Sequence, residues 1–116
     1  MGSARIDMGH SAVTMRYMLV LQWPASTISD YDVLVNLENL IIENLPEGSE
    51  LDGHDAGSGE MNLFILTKDP ESTFESVKAF LRNEDLWAKV RAAYRKLDGS
   101  DYTILWPKDL KEFKVV

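Results

Sequence analysis

Two stretches rich in large apolar and β-branched residues constrain the fold of this chain more than any other feature: Met15–Trp23 (MRYMLVLQW) and Glu60–Thr67 (EMNLFILT). In the first, Met15, Tyr17, Leu19, Leu21 and Trp23 make one fully apolar face, while Arg16, Met18, Val20 and Gln22 make a face that is apolar only in its middle. In the second, Met61, Leu63 and Ile65 alternate with Asn62, Phe64 and Leu66. Strands with apolar residues on both faces belong inside a sheet, covered on one side and at least half covered on the other. Pro24 ends the first strand, because its ring removes the ladder donor.

What lies between and after these strands has helical period. Leu34, Leu37, Ile41 and Leu45 recur at spacings of three and four, which predicts a helix over Tyr31–Leu45 with one buried stripe. Ser26, Thr27 and Ser29 offer capping hydroxyls before it, Asp30 and Asp32 suit the positive end of its dipole, and Pro46-Glu47-Gly48 stops it. Ser49–Ala56 (SELDGHDA) is a weak, polar edge strand that turns at Gly57-Ser58-Gly59 into the strong Glu60–Thr67 strand. Pro70 opens a second helix with Phe74, Val77 and Leu81 inward. After an interruption at Asn83-Glu84-Asp85, Trp87, Val90, Arg91 and Tyr94 predict that helical structure resumes as far as about Leu97. Tyr102–Trp106 is the last expected strand, closed by Pro107, and Lys108–Val116 is a loosely alternating tail.

The order β-α-β-β-α-β predicts an α+β, ferredoxin-like sandwich: a four-stranded antiparallel sheet with both helices on one face and the two richest strands in the middle. Its domain is expected over residues 15–116. Residues 1–14 (MGSARIDMGHSAVT) lack either period and are expected to be a disordered arm or an expression scar, which leaves His10 outside any site. Such a sheet has a second face bearing Met18, Val20, Phe64 and Leu66, too apolar to stay bare. A second copy of the chain is the first expected cover; the C-terminal tail or a ligand are the alternatives.

Composition enters by what it excludes. Without cysteine there is no disulfide, thiol nucleophile or cysteine-based metal site. No apolar run approaches the ~20 residues of a membrane span, and no signal-type apolar stretch follows the N-terminus, so the expected location is the cytoplasm. A net charge of −7 makes nucleic acid a poor partner. That charge is unevenly spread. Asp30 to Glu75 holds twelve acids and one base, Lys68; Lys78 to Lys96 holds six bases and two acids. Such asymmetry steers a basic partner towards the first helix and the hairpin. Glu38, Glu43, Glu50, Asp52, Asp55 and Glu60 are the expected partner-binding residues.

The densest group of chemical side chains is Asp52–Asn62 (DGHDAGSGEMN). On an extended strand Asp52 and His54 point one way and Asp55 the other, with Glu60 and Asn62 across the hairpin. A histidine held by a carboxylate is the ordinary general base, so His54, Asp52, Asp55 and Glu60 are the candidate catalytic residues. The same residue types are also what a solvated turn uses. No second histidine or nucleophile–base pair completes a metal or triad set, so no metal or cofactor is expected. Gly57-Ser58-Gly59 precedes a strand rather than opening a helix, which rules out a phosphate cradle.

By strand order and length the chain resembles the stand-alone ferredoxin-like proteins widespread in bacteria. The hairpin DGHDAGSGEMNLFILT with the downstream DYTILWP is similar to a group of small uncharacterised bacterial proteins, over most of residues 15–107. That resemblance implies a fold and no activity. The dimeric α+β barrel monooxygenases share the topology, but none of their motifs is present. Three functions stay open: a non-enzymatic module binding a protein through its acidic surface, in its sharper form an immunity-type inhibitor of a basic toxin; a small enzyme or ligand-binding domain at the hairpin; or a homodimeric scaffold or regulatory domain.

Overall fold

The first apolar stretch becomes strand β1 (Tyr17–Pro24) and the second becomes β3 (Glu60–Thr67), and they lie side by side, antiparallel, with Leu19 opposite Ile65 and Leu21 opposite Leu63. The computed structural model describes residues 15–24, 31–57, 59–82 and 85–115. The expected arm at residues 1–14, the capping hydroxyls before the first helix and Ser58 of the hairpin turn fall outside them. Helix α1 (Tyr31–Asn44) precedes strand β2 (Ser49–Gly57); helix α2 (Pro70–Leu81) and a 3₁₀ turn (Asp85–Lys89) precede β4 (Arg91–Lys96) and β5 (Thr103–Trp106). The single antiparallel sheet has the order β2-β3-β1-β4-β5.

Alternation decides which side of the sheet the helices cover. Leu19, Leu21 and Trp23 from β1 and Met61, Leu63 and Ile65 from β3 form one buried cluster with Leu34, Leu37 and Ile41 of α1 and Phe74, Val77 and Leu81 of α2. Both helices therefore lie on the same face, as their stripes require. Trp23 is fully buried, and its indole Nε1 donates to the Leu86 carbonyl at 2.9 Å, which gives the one polar atom of a large apolar side chain a partner. Asp69 caps α2 by accepting from the Ser72 amide at 3.1 Å, and Pro70 occupies the first turn, where a missing N–H does no harm. Gly48, between α1 and β2, has φ +87° and its carbonyl accepts from the Lys68 amide, tying the start of β2 to the end of β3.

Two expectations need correction. The sheet has five strands rather than four, and the segment predicted to continue as helix to Leu97 is instead β4, paired with β1 from Gln22 opposite Arg91 to Tyr17 opposite Lys96. Arg-Ala-Ala-Tyr-Arg-Lys favours helix locally. Yet β1 is buried on both faces, so its second row of amides and carbonyls must find partners, and leaving them unpaired would cost more than the propensity gains. The spacing of Val90, Ala92 and Tyr94, all packed on the core, is that of a strand. Tyr102–Trp106, expected beside the first strand, is displaced outward as edge strand β5.

The second face of the sheet is not bare. Beyond β5 the chain turns at Pro107–Leu110, and the Lys114 carbonyl accepts from Gln22 Nε2 at 3.0 Å on the side away from the helices. Phe113 packs on Tyr102 with ring centroids 5.0 Å apart. Val20 and Ala93 are completely buried there, and Gln22 and Asn62 nearly so. The tail, the alternative cover, lies over the part of this face around Gln22, while Phe64 and Leu66 stay half-buried. An intramolecular segment is already tethered at β5, so it covers the patch without the entropy loss that a separate subunit incurs.

Candidate functional site

The hairpin places its chemical groups by strand parity, and a bulge changes that parity partway along β2. Leu51 lies opposite Ile65, but Gly53 lies opposite Phe64, so Asp52 is the additional residue. Gly53 has φ +141°, a backbone conformation that side chains disfavour. Beyond the bulge His54 lies opposite Leu63, on the helix-covered face, and Asp55 opposite Asn62, on the tail-covered face.

His54 is therefore turned towards α1, where its Nδ1 lies 2.9 Å from Oε2 of Glu38. Both groups are partly open to solvent, with side-chain exposures of 42% and 20%. Glu60 takes a different partner, an ion pair with Arg91 of β4 across the width of β1. Asp52 and Asp55 are exposed, on a strand free of Lys and Arg. The candidate quartet of His54, Asp52, Asp55 and Glu60 is thus divided between two faces and two separate pairs. Among the described residues, no group of three His, Cys, Asp or Glu side chains could hold a metal ion.

Sequence reasoning missed both real pairings. It included Glu38 among the acidic surface residues without linking it to His54, because that contact depends on how α1 lies over the sheet. Arg91 falls in a run whose spacing predicts a helix, which does not place it beside Glu60. It also missed the polar pair under the tail: Gln22 Nε2 donates to Asn62 Oδ1 at 2.9 Å, and the Asn62 Nδ2 has no partner among the described residues. Polar residues at the ends of otherwise apolar strands were the available signal.

Acidic residues are concentrated along α1, β2 and the turn between them. From Tyr31 to Gly57 there are seven acids and neither lysine nor arginine, and Glu43, Glu47, Glu50, Asp52 and Asp55 are all exposed. Strand β2 is one border of the sheet. The basic residues Arg91, Arg95 and Lys96 belong to β4, three strands away. Beside the acidic border, a groove of about 320 Å³ is lined by Ile42, Leu45, Ser49, Glu50 and Leu51. A wider cleft of about 510 Å³ opens near Tyr17 and Lys96, where β1 begins and β4 ends, remote from the hairpin's groups. Comparison of the chain with protein-family models, curated proteins and solved structures found no match. None of the helices among the described residues is long and apolar enough to cross a membrane.

Proposed function

We propose that this protein is a non-enzymatic interaction domain that engages a basic partner protein through the acidic surface of α1 and β2, with Glu43, Glu50, Asp52 and Asp55 as the contact residues. The uneven charge carries this reading: α1 and β2 hold six acids and no lysine or arginine, with Lys68 the cation beside the start of β2, whereas β4 holds Arg91, Arg95 and Lys96. Such a field orients an incoming cationic surface and speeds its encounter. An inhibitor that masks a toxin's basic active site is the sharper form of the proposal. Glu60, paired with Arg91, and Glu38, paired with His54, contribute less than their sequence positions imply. On this reading the scaffold is a ferredoxin-like unit extended by β5, which the order β2-β3-β1-β4 supports. A catalytic site at Asp52–Asn62 draws less support, since His54 meets Glu38 while Glu60 is held on another strand pair.

The test compares the wild type with the triple variant Glu43→Lys, Glu50→Lys, Asp52→Lys as baits in lysate of the source cell, at low and high salt. A protein retained by the wild type at low salt, and lost both in the variant and at high salt, supports the assignment. Identical retention profiles for the two baits would refute it.

A further inference from the structure

We infer that the outer edge of β2 is an acceptor for an added β-strand, and that its occupant is an extended basic segment of a partner protein with an aliphatic residue among its lysines or arginines. The inference rests on the protein-binding reading above and specifies how that binding occurs.

The two borders of the sheet differ in what they can accept. Strand β5 is four residues long and ends at Trp106, and the chain turns away from Pro107 onward. Strand β2 is nine residues long, interrupted by the bulge at Asp52, and pairs only with β3 among the described strands, so on either side of the bulge its other row of amides and carbonyls faces outward. An edge of this length is a template for strand addition unless something blocks it. Here the block is selective. Glu50, Asp52 and Asp55 are exposed along β2, so a second copy pairing edge to edge would bring these carboxylates against its own. The same charges favour a cationic strand, which selects against self-pairing and for a basic partner.

The groove beside this edge supplies the apolar contact. Leu51 faces the helix side, and Ile42 and Leu45 come down to it from α1 and the segment after it. Ile42 is 58% exposed, more than any other large apolar side chain among the described residues. A residue of the added strand beside Leu51 would point into this groove, while its two neighbours would point to the opposite face, the side of Glu50. Backbone pairing would provide the affinity, and the alternation of basic and aliphatic residues the selectivity.

The experiment titrates the ¹⁵N,¹³C-labelled full chain with a synthetic peptide that alternates Lys and Val, and follows backbone amides and methyl groups by NMR. A second peptide of the same sequence is N-methylated at alternate residues, and a third alternates Glu and Val. The expected result is shifts concentrated on Ser49–Gly57 and on the Ile42, Leu45 and Leu51 methyls, affinity lowered at least about tenfold by N-methylation, and no binding of the acidic peptide. Ile42→Ser should weaken the first peptide and leave the fold, read from the remaining amides, unchanged. If the N-methylated peptide binds as well as the parent, strand addition is wrong while the acidic-surface reading survives. If neither basic peptide binds at low salt, both fail. A chain that dimerises through β2 without peptide would replace the basic segment with a second copy and overturn the inference.

Discussion

The polar pair beneath the tail gives a sharp test of how this fold is held together. Gln22 donates to both Asn62 and the Lys114 carbonyl, whereas the buried Asn62 amide nitrogen has no partner among the described residues. The two residues look equivalent by burial, with exposures of 1% each, yet their replacement should have unequal consequences. Gln22→Met removes two hydrogen bonds worth ~1 kcal/mol each and leaves the Asn62 oxygen as unsatisfied as its nitrogen, for a loss of about 2–4 kcal/mol. Asn62→Leu gives up one such bond and leaves one Gln22 N–H without its acceptor, but also removes an amide nitrogen whose unpaired burial costs ~1–3 kcal/mol, so the terms largely cancel and stability should change by no more than about 1 kcal/mol. In urea unfolding, with a slope of ~1–3 kcal/mol per molar, the midpoints of the two variants should lie about 1 M or more apart. The double variant should recover much of the Gln22→Met loss, a coupling of at least ~1 kcal/mol, because the orphaned asparagine is gone and the exposed tail can take its hydrogen bond from water. Equal destabilisation by the two single changes would refute the reasoning, since it would mean that Asn62 is fully satisfied.

Other perturbations probe the elements that position the acidic surface. Trp23→Ala should cost about 3–5 kcal/mol, and Trp23→Phe distinctly less, as measured by thermal or urea unfolding, because the side chain is buried and only the phenylalanine keeps most of its contacts. Asp69→Ala should cost about 1 kcal/mol through loss of the cap on α2, and Asp69→Ser should restore most of it. Gly48→Ala should cost ~1–2 kcal/mol from the left-handed backbone conformation alone, and Lys68, whose side chain would lie 2.6 Å from the new Cβ, must also shift.

Strands β1 and β3, helix α1 with its stripe at Leu34, Leu37 and Ile41, and the opening of α2 at Pro70 were all legible in the sequence, because each is decided by a local period or a local breaker. The edge character of β2 was equally legible from its polar residues. Strand β4 was not. Arg91–Lys96 is a good helix by composition, and only the need of a doubly buried neighbour for backbone partners makes it a strand. The site followed the same division. Its acidity was plain in the residue list, whereas the pairing of His54 with Glu38 required a bulge at Asp52 to reverse the strand's parity and a helix to pass above it.

The amino-acid order alone determined that two greasy strands would sit at the middle of one sheet and that the negative charge would gather on the helix and strand at one border. The three-dimensional packing decided who meets whom: Lys114 crosses to Gln22, Arg91 reaches Glu60, and β5 is moved to the rim by the strand inserted before it. The reason is physical. Periodicity and propensity act within a few neighbouring residues, while hydrogen-bond satisfaction and burial are settled between segments as much as 92 positions apart, as Gln22 and Lys114 are.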